Sequence, residues 1–330
     1  MNLSAPLIAD QSQQSLLAVR VHTIRYEAET IRSVELRSLD GAQLPPFTAG
    51  AHIDLEIPGG DFRSYSLVNS QEERHRYLIA VNRDPKSRGG SAYVCDTMRP
   101  GDIVSIRPPR NNFGLYESAG HSIFFGGGIG ITPIISMISR LNALGRKWTL
   151  YYAVRSRAAA AYLDLIEHYR QQGTGRVVLH VDEDNNGGVL DIAGPCRDAE
   201  PDAHFYCCGP KPMIDAFSSA VAERPDDTVH VEHFSGTVEP ATGGFRVVLA
   251  RSGKSFDIPE GKTIMSVLLD NGEFVARSCQ EGVCGTCETR VLQGIPDHKD
   301  HVLSARERTS NKSMMICCSG AKTDELVLDL

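Results

Sequence analysis

The chain has no excess of positive charge. Its 34 Lys and Arg stand against 41 Asp and Glu, a net charge of −7 over 330 residues. A nucleic-acid-binding protein carries a basic balance or a basic stripe, so that class is excluded. An apolar run of membrane-spanning length is also missing. The one long stretch without charge, Ser122–Ser139, is interrupted by Gly126, Gly127, Gly128, Gly130 and Pro133. A spanning helix stays apolar over about 20 residues. The first residues lack the basic and apolar blocks of a secretory leader. There is no long internal repeat and no low-complexity tract. These absences predict a cytoplasmic protein with neither a membrane nor a nucleic acid among its partners. Nine cysteines, an odd number in a long chain, do not read as a disulfide framework. In a reducing compartment they are metal ligands or core thiols.

The length points to two or three domains. From Leu16 to about Arg110 the pattern is strand-like, with short β-branched runs such as Leu17–Tyr26, His52–Ile57 and Tyr77–Arg83 set off by Gly, Pro and Asn. That spacing predicts a small antiparallel barrel, crossed by one helix over Gly90–Met98. From His121 strands alternate with helices, predicted at Pro133–Leu144, Ala158–Gln171 and Lys211–Glu223. Such alternation predicts a parallel sheet with helices on both faces. Ser235–Gly244 is the best linker. After it comes a third unit, with a hairpin around Ser252-Gly253, a helix over Thr263–Asn271 and a final strand at Glu325–Leu330.

Cys279, Cys284, Cys287 and Cys317 give C-x4-C-x2-C-x29-C. This is the spacing of plant-type [2Fe–2S] centres, which need three thiolates from one tight loop and a fourth from a distant segment. Gly282 and Gly285 let the loop curl and turn N–H groups toward the sulfurs. The interval favours Cys317 over Cys318 as the fourth ligand. Zinc is the competing reading, but zinc sites favour paired knuckles and only one CxxC is present. His298 and His301 are expected on a solvated loop. A Rieske centre needs two histidine ligands in paired motifs, and none occurs. Cys95, Cys196 and Cys207 read as core or near-surface thiols.

Gly126-Gly-Gly-Ile-Gly-Ile-Thr-Pro133 follows a strand and opens a helix, where backbone N–H groups and the helix dipole can hold a pyrophosphate. Pro133 is expected at N1 with Thr132 as N-cap. No Lys-Ser/Thr follows, Pro133 replaces the third glycine of GxGxxG, and the ribose-binding acid is missing, so a purely structural glycine turn is the alternative. Tyr206-Cys-Cys-Gly-Pro210 makes a second turn at the carboxyl edge of the same sheet, which would turn Cys208 toward the pocket. In Arg63-Ser-Tyr-Ser-Leu67 alternation alone buries Tyr65 and Leu67. Gly89-Gly90-Ser91 is another phosphate turn, with Arg83 and Arg88 near in sequence. Asp182–Gly187 mimics a calcium loop, but Ala193 stands where the bidentate Glu belongs, so it reads as a polar turn.

R-x-Y-S with GG-S, then GGIGITP and YCCGP, resembles the ferredoxin-reductase-like flavoproteins. With the C-terminal cysteine pattern, the chain is similar to the phthalate dioxygenase reductase and vanillate O-demethylase reductase family over about residues 15–330. That resemblance implies an FMN-binding antiparallel β-barrel at 15–115, an α/β Rossmann-like NAD(P)H domain at 116–235, a linker at 236–244 and a β-grasp [2Fe–2S] ferredoxin domain at 245–330. It implies that Arg63, Tyr65 and Ser66 bind FMN, with Ser66 near its reactive edge. Ala80, Val81, Asn82, Gly89, Gly90 and Ser91 would line the ribityl and phosphate region. Gly127, Gly128, Gly130, Thr132 and Pro133 with Cys208, Gly209 and Pro210 would place the nicotinamide, and Phe234 would cover the flavin. Ser66, Cys208 and Phe234 would form the catalytic set. The implied activity takes hydride from NADH to FMN and sends single electrons through the cluster to a terminal Rieske oxygenase. A cytochrome or a ferric compound is the alternative acceptor. Arg155 and Arg157, at the end of the second strand of the nicotinamide domain, could hold a 2′-phosphate and leave NADPH open.

Overall fold

A computed structural model describes residues 16–87, 89–234 and 243–330. Arg88 and most of the expected linker, residues 236–242, lie outside the described residues. The chain divides into two compact units, Leu17–Phe234 and a C-terminal unit ending at Leu330.

The first unit begins with six antiparallel strands: β1 (Leu17–Ala28), β2 (Ile31–Ser38), β3 (His52–Ile57), β4 (Asp61–Ser66), β5 (Tyr77–Asn82) and β6 (Ile103–Arg110). Their order is β4-β3-β6-β1-β2-β5. The sheet's two edges meet just past β4, through a Leu67–Ile79 bridge and a Val68 N–H bond to the Leu78 carbonyl at 2.8 Å. Val19, Val21, Leu36, Ile53, Leu55 and Ile79 fill the interior. Alternation therefore sends His52 and Asp54 to the other face of β3. The expected crossing helix is a single turn, α1 (Gly90–Ala92), that widens into a π-helical turn over Tyr93–Thr97.

Five parallel strands follow: β7 (His121–Gly127), β8 (Lys147–Val154), β9 (Arg176–Val181), β10 (His204–Cys208) and β11 (Val229–Glu232), in the order β11-β10-β7-β8-β9. Four helices pack on them: α2 (Ile131–Ala143), α3 (Leu163–Gln172), α4 (Ala193–Asp198) and α5 (Lys211–Ala220). Both faces are apolar, as a covered parallel sheet requires. Phe124 and Tyr206 point into the core shared with α2, while Ile123, Phe125 and Phe205 point into the core shared with α4 and α5. The first core also takes in Ile31, Ala49, Val68 and Phe113, so the antiparallel and parallel sheets pack as one body. Strand order reverses between β7 and β10, and ligands in open α/β sheets bind at such a switch point.

Two helix starts differ from expectation. α2 opens at Ile131, after a 3-10 turn over Gly128–Gly130. α3 opens five residues later than expected, because Ser156 and a 3-10 turn hold Arg157–Ala159 and Tyr162 sits at φ +63°. The polar Asp182–Gly187 segment is a turn, as expected, closed by Asn185 and Gly187 N–H bonds to the Asp182 carbonyl.

The C-terminal unit contains β12 (Phe245–Leu249), β13 (Ser255–Ile258), α6 (Ile264–Asp270), β14 (Glu288–Gln293), β15 (Pro296–Asp297), α7 (Ala305–Ser310), β16 (Ser313–Met315), β17 (Gly320–Ala321) and β18 (Glu325–Leu328). Its main sheet runs β13-β12-β18-β14-β16. Thr263 caps α6 in a reciprocal box with Ser266. The strand β14 that follows the cysteine loop, and α7 and β16 beyond it, had no clear sequence signal. No helix among the described residues is long and apolar enough to cross a membrane.

Candidate functional site

β7 and β10 are neighbours, so their carboxyl ends carry the two glycine turns side by side, with Cys208 in register with Gly126. A side chain at Gly130 would stand 2.1 Å from the Cys208 carbonyl oxygen. Only glycine lets the two turns touch there. Thr132 is not the expected cap: it lies inside the first turn of α2, and its hydroxyl donates to the Ile129 carbonyl at 3.0 Å. Pro133 is likewise one turn in, at the third helical residue, where its missing N–H costs no helical bond. Gly127, Gly128, Gly209 and Pro210 complete the edge. Cys208 corrects a second expectation. It is fully buried in the core under α2 rather than facing an open pocket, and burial, Glu232 and Cys207 keep its thiol well above its usual range.

β5 of the antiparallel sheet packs against the Gly128–Gly130 turn. Arg63 and Tyr65 lie against the Gly89-Gly90-Ser91 turn, where a side chain at Gly90 would come within 2.7 Å of Arg63 Cγ and 3.3 Å of the Tyr65 hydroxyl. Ser91 accepts from the Asp84 N–H at 3.1 Å. Ala80 and Val81 bury their side chains, which leaves only their backbone and the exposed Asn82 for any ligand. Arg83 is committed to Asp96 at 2.8 Å, so it is not a spare phosphate clamp. Phe234, at the end of the unit, is 40% exposed rather than buried beyond the last strand.

Glu232 was not read from the sequence. It ends β11 beside Cys208, its register partner on β10. As a residue it is half-buried, but its Oε2 is closed off from solvent and has no hydrogen-bond partner. Burial pushes its carboxyl up to about 8, with only the Ser66 hydroxyl near enough to favour the ionised form. Glu232 is thus an acid at neutral pH. Its sequence signal is slight: a charged residue closing the short alternating strand Val229-His-Val-Glu232.

At the far end of β8, Arg157 pairs with Asp184 at 2.7 Å. Arg155 is exposed, with no ion-pair partner among the described residues.

In the C-terminal unit the four cysteines fall into two pairs. The Cys279 sulfur lies against Cys284 and the Cys317 sulfur against Cys287. Cys318 also lies against Cys317, and its thiol reaches the Met315 carbonyl at 3.7 Å. The Glu281 N–H donates to the Cys279 sulfur at 3.3 Å, and backbone groups of Val283 and Gly282 favour the thiolates of Cys279 and Cys317. Among the described residues no three His, Cys, Asp or Glu side chains converge as on a single ion. Two pairs with backbone donors suit a two-iron cluster, in which each iron takes two protein sulfurs. His298 corrects the expected solvated pair. Its side chain is buried beside Asp300, and only His301 is exposed.

Comparison with known proteins agrees with this geometry. Residues 124–219 match the family described as an oxidoreductase NAD-binding domain, and residues 247–322 match the 2Fe-2S iron-sulfur cluster binding domain. The chain is 50% identical over 319 residues to a tetrachlorobenzoquinone reductase of Sphingobium chlorophenolicum, covering 96% of this chain and 98% of that one. It is 49% identical to a phenoxybenzoate dioxygenase subunit beta of Ectopseudomonas oleovorans, covering 95% and 97%. It also matches the solved structure of phthalate dioxygenase reductase, at 39% identity and a TM-score of 0.72 over 97% of this chain and 99% of that one. The switch-point turns and the paired thiols therefore define an NAD(P)H-dependent flavin and iron–sulfur oxidoreductase. The chain belongs to the phthalate dioxygenase and vanillate O-demethylase reductase family.

Proposed function

We propose that the chain is the reductase component of a two-component oxygenase system, taking hydride from NADH to FMN and passing single electrons through a [2Fe–2S] cluster to a terminal Rieske oxygenase. One observation carries it: the two glycine turns lie side by side at the carboxyl edge of a parallel sheet that shares one core with the antiparallel sheet bearing R-x-Y-S. When bound, flavin and cluster together convert a two-electron donor into one-electron output. The protein's residues position and shield.

In this reading residues 15–115 are the flavin barrel, 116–235 the nicotinamide domain, 236–244 the linker and 245–330 a β-grasp ferredoxin. Arg63, with the turn at Gly89, Gly90 and Ser91, holds the phosphate of FMN. FMN is preferred to FAD on the family resemblance. Tyr65 packs beside the ring, Ser66 faces its reactive edge, and the exposed Phe234 covers it. Gly127, Gly128, Gly130 and Gly209 let the nicotinamide approach the backbone, and Cys208 and Glu232 close the pocket floor as neutral groups. A neutral floor does not trap the positive charge that the nicotinamide gains. Cys279 and Cys284 hold one iron, Cys287 and Cys317 the other.

The tests are identification of the extracted flavin and kcat/KM for both nicotinamide nucleotides. FMN and a preference for NADH are expected. A strong NADPH preference, lost in Arg155→Ala, overturns the nucleotide assignment. A second reading has its own support: the 50%-identical relative is named for a chlorinated quinone. NADH-driven turnover of purified Rieske oxygenases, against turnover of such quinones, separates the two acceptors.

A further inference from the structure

β8 and β9 leave the parallel sheet side by side, with Val154 in register with Val181. Beyond them two short turns are laced together by the backbone. The Asp182 N–H donates to the Val154 carbonyl at 2.9 Å, and the Glu183 N–H to the Arg155 carbonyl at 3.1 Å. The Asn185 side chain ties the acidic turn to the Val181 carbonyl at 2.8 Å. On the other side Ser156 caps the 3-10 turn that opens at Arg157. Arg157 and Asp184 thus come from two turns with fixed backbones, and their side chains meet at 2.7 Å.

The pair does little for the fold. The Arg157 side chain is 70% exposed and that of Asp184 47%, and ion pairs open to water add little stability. What the pair changes is the charge this edge offers to a ligand. In α/β dinucleotide folds the end of the second strand reads the ribose: an acid bonds the 2′-hydroxyl, and an arginine accommodates a 2′-phosphate. Here that position carries both kinds of group, with Arg155 and Arg157 set among Asp182, Glu183 and Asp184. A phosphate monoester carries nearly two negative charges and is held best by arginine forks. With Arg157 committed to Asp184, the two arginines do not act together on one phosphate.

We propose that Asp184 is a specificity-determining residue: by holding Arg157, it denies a nucleotide 2′-phosphate its second cation and leaves this edge to the 2′-hydroxyl of NADH. The inference rests on the proposed function above, because it takes the carboxyl edge of the parallel sheet as the nucleotide site.

The experiment measures equilibrium binding of adenosine 2′,5′-bisphosphate and of AMP to the full-length protein. Asp184→Asn frees Arg157 and removes a like charge beside the phosphate. It should tighten the bisphosphate about tenfold while AMP changes less than about twofold. Adding Arg157→Ala should abolish the gain, and Asp184→Glu, which keeps the pair, should keep the parent ratio. In turnover with ferricyanide, Asp184→Asn should lower KM for NADPH and leave kcat unchanged. Both side chains are exposed, so the variants keep the fold. AMP binding with an unmoved ratio in Asp184→Asn, or a gain that survives Arg157→Ala, overturns the inference and leaves the proposed function standing. If neither nucleotide binds parent or variant, the nucleotide site is not at this edge and both fail. If the ratio moves but the protein oxidises neither NADH nor NADPH, the role of Asp184 stands and the proposed function fails.

Discussion

Asp54 and Glu232 are enclosed carboxyls of the same unit, and their protons behave in opposite ways. Burial raises both. At Asp54 the charges of Arg110 and His52, the Ser64 hydroxyl and Arg107 outweigh it, and the group is held below the usual carboxylate range. At Glu232 no cation answers, and only Ser66 acts against burial. Burial therefore does not fix the charge of a group; its partners do. Asp54 serves the fold by tying β3 to β4 and β6. Glu232, at the end of β11 beside Cys208, keeps its proton instead.

Breaking the ionised member is expected to have the largest effect. Asp54→Ala removes the buried carboxylate that Arg107 and Arg110 share and should cost about 3–5 kcal/mol. It would be read as a lower urea midpoint with an unchanged slope. A loss under about 1 kcal/mol would mean the arginines find other partners.

The neutral members give a smaller, pH-dependent effect. Glu232 keeps its proton on folding, since its carboxyl lies at about 8 against an ordinary 4.5, so it costs stability as pH rises through that window. His52 is pushed down to about 4 from 6.5, mainly by burial, so it costs stability as pH falls below 6.5. Between pH 4.5 and 6.5 the two slopes cancel. From pH 6.5 to 8 only Glu232 contributes, and stability should fall by about 2 kcal/mol. Glu232→Gln should abolish that fall, leaving a curve that rises to pH 6.5 and then stays flat. Denaturation at half-unit pH steps checks it, and a Glu232→Gln curve parallel to the parent would refute the neutral acid.

Cys279→Ser sharpens the contrast between units. Cluster absorbance should disappear, while NADH-to-ferricyanide turnover stays within about twofold, since hydride capture needs only the first unit. Loss of both would deny separate redox modules. The smallest effect is expected at Lys211, whose exposed pair with Asp215 spans one helical turn. Lys211→Ala should change stability by no more than about 0.5 kcal/mol.

The cysteine loop was legible in the sequence because its chemistry is local: three ligands and their backbone donors sit within nine residues of chain, and spacing alone encodes them. The strands were legible from alternation, and the parallel sheet from its rhythm. The burial of His52 and of the Glu232 carboxyl was not, because polar residues in short strands do not announce which of them the fold encloses. His52, Asp54 and Glu56 alternate with Ile53, Leu55 and Ile57, a pattern that reads as one wet and one dry face. In the fold the first two are buried, Asp54 against Arg107 and Arg110 of β6 and Ser64 of β4. Thr132 and Pro133 slipped because a 3-10 turn precedes α2, and glycine runs do not announce where a helix begins. His298 slipped because a polar loop sequence does not reveal that Asp300 draws it inward.

The most direct test of hydride entry and single-electron exit is an anaerobic NADH titration of the purified full-length protein, followed by visible and electron paramagnetic resonance spectra. The expected result is bleaching of a bound flavin together with the signal of a reduced [2Fe–2S] cluster, both complete within about two equivalents of NADH. A colourless protein, or a flavin that bleaches while the cluster stays oxidised, would contradict it.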